Sequence, residues 1–140
     1  MMFFVADYKL RIMMRWIGVD YGDAYLGVAV SNPSNTMSVP VAVVPTAECL
    51  EYFQSMLEEN EFQGFVVGLP ILLSGREGEL AERSRNFGEY LIKNFNLKIL
   101  YEDERFTTKQ SESLPKKKGQ RTDDIAASII LQQYLDRKKE

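Results

Sequence analysis

Ile17-Gly-Val-Asp-Tyr-Gly-Asp-Ala-Tyr-Leu-Gly-Val-Ala-Val30 decides how this chain is read. An apolar run ends in Asp20, turns at Gly22 and resumes as a second apolar run from Leu26. Two such runs around a short Asp- and Gly-containing turn predict paired antiparallel strands. Burying a carboxylate beside a sheet core is costly unless something compensates it. Asp20 therefore asks for a partner, and a metal ion or phosphate-linked chemistry is the candidate. A plain hairpin-turn aspartate is the alternative.

The rest of the fold is read outward from this pair. Trp16 to Val19 reads as a buried strand. Tyr25 to Ser31 reads as a second, with Leu26, Val28 and Val30 on one face and the small Gly27 and Ala29 on the other. Asn32-Pro-Ser-Asn35 is a turn, and Val39 to Val44 makes a third strand, completing an antiparallel meander. Thr46 reads as the N-cap of a helix in which Leu50, Phe53, Met56 and Leu57 recur at helical spacing up to Asn60. Phe65-Val-Val-Gly-Leu69 is wholly apolar, the pattern of a strand covered on both faces.

After Pro70 comes a loop, Ile71 to Arg76, then a helix from about Gly78 with Leu80, Phe87, Leu91 and Ile92 on its core side. Lys98 to Tyr101 is the fifth strand. Thr107 to Leu114 predicts a short helix stopped by Pro115, and a last helix starts near Arg121 or Thr122, carrying Ile125, Ile129, Ile130 and Tyr134. The expected fold is α/β. It has a five-stranded mixed sheet, three antiparallel strands then parallel ones through right-handed crossovers, with helices on both faces.

With 140 residues the chain suits one domain, expected over residues 14–140. Residues 1–13 read in two ways. Phe4, Ala6, Tyr8, Leu10 and Ile12 alternate as in an edge strand, whereas Met13 and Met14 stand where a start before the first core strand would leave an N-terminal extension. Apolar content of 45% and charged content of 26% are ordinary for a soluble globular protein. No run has the length of a membrane span, and the N-terminus is not a convincing signal peptide. Cys49 is the sole cysteine, which rules out an intrachain disulfide and makes the cytoplasm the default expectation.

The absences narrow the chemistry. The chain has no histidine, which excludes Ser-His-Asp and Cys-His catalysis, His-ligated zinc and an imidazole base. It has no Gly-Lys-Ser/Thr phosphate loop and no Gly-x-Gly-x-x-Gly. An enzyme of this composition would work through carboxylates and a hard, oxygen-seeking cation such as Mg²⁺. The net charge of −3 does not advertise a nucleic-acid binder. Lys116, Lys117, Lys118 and Arg121 nevertheless form a local basic cluster beside Asp123 and Asp124, either a solvated loop or a phosphate contact.

Acids stand at three places where elements begin or end. Asp20 ends the first strand, Asp103 and Glu104 follow the fifth, and Asp123 and Asp124 fall in the first turn of the last helix. Sites in open sheets gather at the carboxyl ends of strands, and a helix N-terminus tolerates an acid. Asp123 shares its helix face with Ala126, Ala127 and Ile130, and two alanines permit close approach to a sheet. Asp124 has a more mixed face, which favours Asp123. Acids that merely complement the helix dipole are the alternative.

Four segments then resemble the YqgF/RuvX family, small RNase H-like proteins described as Holliday-junction resolvases and as pre-16S rRNA nucleases. They are Arg15-Trp-Ile-Gly-Val-Asp-Tyr-Gly22 with Leu26-Gly-Val-Ala-Val-Ser31; Val66-Val-Gly-Leu-Pro70 with Ser74-Gly-Arg-Glu-Gly78; Asp103-Glu-Arg-Phe-Thr-Thr108; and Asp123-Asp-Ile-Ala-Ala127 with Ile130-Leu-Gln-Gln-Tyr134. They run collinearly over about residues 14–137. The resemblance implies an acidic triad on Asp20, Glu104 and Asp123, holding one or two Mg²⁺ or Mn²⁺ ions for phosphodiester hydrolysis. The implied substrate is structured RNA, as in pre-16S rRNA 5′-end processing, or branched DNA. The implied protein is a monomer or homodimer, with no membrane partner.

Further contacts are expected around the triad. Ser74, Gly75 and Arg76 precede a helix N-terminus whose amides can receive a phosphate, or simply form a capping loop. Arg105 either steadies a site carboxylate or contacts phosphate, or else pairs with Glu102 or Asp103. Tyr21 and Tyr25 either stack on a base or pack against the sheet edge. Lys116, Lys117, Lys118 and Arg121 would supply salt-dependent backbone contacts. The sequence departs from the family at Asp23-Ala-Tyr25, where many members carry basic residues, and in a short connection between Glu104 and Asp123.

Two other classes stay open. One is a non-catalytic nucleic-acid or ribosome-associated module of the same fold. The other is an ATP-binding protein of the actin and sugar-kinase type, which normally needs two lobes that 140 residues do not supply.

Overall fold

Among the residues that the computed structural model describes, 14–105 and 123–138, five strands form one sheet. Strands β1 (Arg15–Asp20), β2 (Tyr25–Ser31) and β3 (Ser38–Pro45) make the expected antiparallel meander. A 3₁₀ turn, Thr46–Glu48, leads into helix α1 (Cys49–Glu59). Strand β4 (Phe62–Leu69), helix α2 (Glu79–Phe95), strand β5 (Lys98–Asp103) and helix α3 (Asp123–Lys138) follow. The spatial order is β3-β2-β1-β4-β5, and β4 runs parallel to both neighbours.

Strand alternation sorts the core into two layers. Ile17, Val19, Leu26, Val28, Phe65 and Val67 face α1 and α2, packing with Phe53, Phe87 and Leu91. Trp16, Ala29 and Val66 face α3, packing with Ala127, Ile130, Leu131, Tyr134 and Leu135. Helices thus cover both faces, as expected. Glycine sets the depth of α3: a Cβ on Gly18 would stand 2.8 Å from Leu131 Cβ and 3.0 Å from the Ala127 carbonyl oxygen. β3 is the sheet edge beside β2, and its Pro40 sits opposite Ala29, where the register slips. An edge bulge tolerates the missing amide donor.

Three local expectations are corrected. Thr46 does not cap α1; its Oγ1 donates to the Gly22 carbonyl at 2.7 Å and its amide to the Ala24 carbonyl at 2.9 Å. These bonds tie the end of the meander to the first turn, so the 3₁₀ turn intervenes and the helix begins at Cys49. Leu80 and Ile92 are exposed, because α2 buries the stripe Ala81, Ser84, Phe87, Gly88 and Leu91. That stripe includes small residues, and Gly88 admits the Tyr101 ring. β1, β3, β4 and β5 also run longer than expected, β5 continuing to Asp103, whereas β2 has the expected bounds.

The expected helix over Thr107–Leu114 and the alternatives for residues 1–13 lie outside the described residues. Among the described residues no helix is long and apolar enough to cross a membrane.

Candidate active site

β1, β4 and β5 are mutually parallel, so their carboxyl ends share one edge of the sheet. Asp20 closes β1 at that edge, and Glu104 stands one residue beyond β5. The amide of Glu104 donates to the Leu69 carbonyl at 3.1 Å, extending the ladder with β4 past the strand's end. Trp16 and Gly18 face α3, so alternation puts Asp20 on that side too. Leu100 faces α3, and Glu102 and Glu104 follow on the same side.

Gly68 lies between these acids, at the end of β4. A Cβ there would collide with the Glu104 carboxylate and come within 2.5 Å of Ile130 Cδ1. The missing side chain is therefore the space that Glu104 occupies. Burial, then the nearby charges of Asp20 and Asp103, push the Glu104 carboxyl up to about 8. Two carboxylates brought together out of water resist ionising together, and a cation would relieve both the burial and the repulsion.

α3 runs antiparallel to β1. Tyr134 meets Trp16 at a ring separation of 5.2 Å, and Ala127 and Leu131 lie over Gly18. Asp123, the first residue of the helix, is one turn before Ala127, which brings its backbone toward the Asp20 end of β1. Its side chain lies outside the description. Asp124 Oδ1 accepts the Ile125 amide at 2.9 Å. The helix is held at both margins of the sheet. Ser38 Oγ donates to the Ser128 carbonyl at 2.5 Å, and the Ser38 amide to Gln132 Oε1 at 2.8 Å. Gln133 Nε2 donates to the Asp103 carbonyl at 2.9 Å.

The other expected contacts fall out as follows. Arg105 pairs with Asp103 rather than Glu102: its Nη2 lies 2.8 Å from Oδ2, and its own amide donates to Oδ1 at 3.0 Å. Burial pushes the Asp103 carboxyl up, but the Arg105 hydrogen bonds win and hold it below its ordinary value. The loop after β4 closes through an Ile71–Glu77 bridge, with the Leu72 amide on the Arg76 carbonyl at 2.9 Å. Gly75 turns that loop at φ 90° and faces the Arg105 guanidinium. Ser74 Oγ accepts the Arg76 amide at 3.3 Å, and Arg76 is exposed. Tyr21 packs on Phe87, whereas Tyr25 is exposed. Lys116, Lys117, Lys118 and Arg121 lie outside the described residues.

One acid was missed. Glu102 is fully buried, with Arg137 Nη2 2.7 Å from its Oε1, a charge pairing rather than an aligned hydrogen bond. Burial pushes its carboxyl up, Arg137 and Gln133 pull it back, and the net direction is up. The signal was available: in a strand, residues two apart share a face, so an inward Glu104 implies an inward Glu102. Gly68 reads only as part of the apolar strand Phe65-Val-Val-Gly-Leu69 and of the family-like segment Val66-Val-Gly-Leu-Pro70, and nothing local marks it as the floor under a carboxylate.

The donor set suits a hard cation. Its oxygens are carboxylate oxygens, and the strained ionisation of Glu104 is what a cation would offset. Among the described residues no group of three or more His, Cys, Asp or Glu is gathered for a metal, the Asp123 side chain being outside that set.

The chain is similar to known proteins. A Limosilactobacillus fermentum protein named "Putative pre-16S rRNA nuclease" is 35% identical over 136 residues, covering 88% of this chain and 94% of that one. A Ligilactobacillus salivarius protein of the same name is 37% identical over 139 residues, covering 90% and 95%. The structure of T. thermophilus RuvC in complex with a Holliday junction substrate matches with a TM-score of 0.58 at 14% identity, over 90% of this chain and 96% of that one. At that identity the likeness establishes the RNase H-like fold alone. The profile of the family described as RuvX, Holliday junction resolvase, covers residues 14–137, and the chain belongs to that family.

Proposed function

We propose that this protein is a metal-dependent endonuclease that hydrolyses phosphodiester bonds in structured nucleic acid, with pre-16S rRNA 5′-end processing as its task. The observation that carries the reading is the Glu104 carboxyl, seated over Gly68 and pushed up to about 8 by burial and by Asp20. Burying ionised carboxylates together is costly, and a cation would offset that cost. The relatives named for pre-16S rRNA support the choice of RNA, and such a substrate goes with the cytoplasm.

Asp20, Glu104 and Asp123 would hold Mg²⁺ or Mn²⁺. A bound divalent cation supplies a Lewis acid for the attacked phosphodiester and lowers the pKa of water. The chain's own residues set the stage for this. Gly68 leaves room for Glu104, and the Leu69 carbonyl fixes its backbone. Without a cation Glu104 holds a proton at neutral pH, and a bound cation would favour its ionised form. Asp103 anchors Arg105 beside the site, which orients that guanidinium for substrate phosphate. Ser74 and Arg76, on the adjoining loop, would contact the strand, as would Lys116, Lys117, Lys118 and Arg121.

A second reading keeps the same chemistry and changes the substrate to branched DNA. It is favoured by the family's description and by the RuvC complex with a Holliday junction. Symmetric cleavage of a four-way junction would require a two-fold dimer, whereas RNA trimming needs only a monomer.

The test compares the wild type with Asp20→Asn on precursor 16S rRNA and on four-way DNA, with Mg²⁺ or Mn²⁺. Cleavage by the wild type and loss in the variant is expected. Equal cleavage by both proteins removes Asp20 from the chemistry. Cleavage of the DNA alone transfers the function to the second reading.

A further inference from the structure

The sheet edge that carries Asp20 has an opposite face, and a cavity opens there. Tyr21, the next residue, turns to the α1 and α2 side, as alternation requires. Its ring packs on Phe87 at a centroid separation of 4.7 Å, and Phe87 lies 6.4 Å from Tyr90 with planes 27° apart. These rings form a wall of a cavity of about 520 Å³, whose rim carries Asp23, Arg83 and Asn86. That volume is within the usual range for small-molecule sites, roughly 300–1,000 Å³.

The rim selects the kind of ligand. Arg83 Nη1 lies 2.7 Å from Asp23 Oδ2, and its Nη2 2.7 Å from Glu79 Oε1. A guanidinium shared between two carboxylates has its charge offset, which disfavours a phosphate but leaves N–H donors for an uncharged ligand. Tyr21 OH also donates to Asp23 Oδ1 at 3.3 Å. A purely apolar ligand would waste this fringe of donors and acceptors. The complementary shape is a flat, uncharged ring with hydrogen-bonding groups on its edge. Such a ring stacks on Tyr90, which is 42% exposed, and turns its edge to Asp23, Arg83 and Asn86. Nucleobases have this chemistry, and base-aromatic stacking tolerates any sequence. An Asp accepts from an exocyclic amino group, and an Asn amide offers both a donor and an acceptor.

We propose that this cavity binds an unpaired nucleobase of the substrate strand, next to the phosphodiester addressed by Asp20 and Glu104. The identity of the strand rests on the nuclease reading; the preference for a base rests on the cavity. Asp20 and Tyr21 are consecutive, so a strand crossing the edge has its phosphate on one face of the sheet and a flanking base on the other. The turn residue Asp23 is an acceptor held by Arg83.

The test uses the full-length Asp20→Asn protein in EDTA, so that binding is read without cleavage. Affinity is measured for a short single-stranded RNA and for an abasic oligomer of equal length and charge. Tyr90→Ala should weaken binding of the RNA about tenfold, as expected for one stacked base, and leave the abasic oligomer unchanged. Tyr90→Phe, which keeps the ring, should restore the RNA affinity, and Asn86→Ala should change the ranking among RNAs of different base. Unchanged RNA affinity in Tyr90→Ala, or equal loss for both oligomers, overturns the proposal. Base-dependent binding, together with a wild-type protein that cleaves neither RNA nor four-way DNA with Mg²⁺ or Mn²⁺, upholds the cavity and removes the nuclease reading instead.

Discussion

Raising the pH of the metal-free protein should weaken its fold, and Glu104 is the principal reason. Its carboxyl is pushed from an ordinary 4.5 to about 8, first by burial, then by Asp20 and Asp103. Unfolded, Glu104 ionises near 4.5; folded, it keeps its proton until about 8. Its contribution is therefore fully present below the lower value and lost as pH rises through the upper one. At about 1.36 kcal/mol per unit, the loss between about pH 5.5 and about pH 8.5 is about 3 kcal/mol.

Most other shifted groups among the described residues titrate outside this window. Glu77 is lowered by its hydrogen bonds and charge pairing with Arg85, and Asp103 by those of Arg105, so both titrate below it. Tyr21, Tyr52, Tyr101 and Cys49 are raised mainly by burial, from ordinary values of 10.0 and 9.0, and titrate above it. Glu102 adds a smaller change of the same sign, offset by Arg137. The assay is urea unfolding in EDTA across this pH range, followed by the fluorescence of Trp16, which is buried in the α3 layer. Glu104→Gln should remove most of the slope, and Mg²⁺ should remove it in the wild type by favouring the ionised carboxylate. A wild-type midpoint that does not move with pH, or an equal slope in Glu104→Gln, would refute the reasoning.

Other outcomes follow from neighbouring contacts. Gly68→Ala should cost about 1–3 kcal/mol in urea unfolding, the usual penalty for overpacking, and should displace Glu104 enough to abolish the Mg²⁺ effect on stability. Arg137→Ala leaves Glu102 buried without its cation; because Arg137 is 62% exposed, the cost should be only about 1–2 kcal/mol. That cost should grow as pH rises above the ordinary carboxyl range, since loss of the arginine raises the Glu102 carboxyl further. Replacing Lys116, Lys117, Lys118 and Arg121 together by alanine should flatten the log-log salt dependence of RNA binding by about 3, if each neutralises one phosphate.

The readable parts of this chain were those governed by short-range pattern. Apolar runs of strand length separated by amphipathic stretches predicted the order of elements, and the switch to βα alternation predicted the parallel ladders. From those two facts Asp20 and Glu104 had to share an edge. Ala127 beside Ile130 announced a helix lying close on the sheet, and Gly18 supplies the other half of that contact. The unreadable parts depend on partners far along the chain. Thr46 looked like a cap because the Gly22 carbonyl that takes its hydroxyl is 24 positions away. Asp23 looked like a lost basic contact because Arg83, its partner, is 60 positions away. Leu80 looked buried because hydrophobicity was weighed residue by residue, whereas α2 packs through Ala81, Ser84 and Gly88, where backbone approach matters more than side-chain size.

The position of β4 between β1 and β5 has a bearing on timing. Asp20 and Glu104 lie far apart along the chain and meet only when both parallel ladders have closed on β4. Pairings that join distant segments form late, because loop closure must precede any gain from contact. The helix that begins at Asp123 is also the last described element to emerge during synthesis. A nascent chain therefore carries its acids separately, each solvated and none able to form the cluster. This order of assembly leaves the growing chain without its acid cluster until β5 and the last described helix have been made and docked.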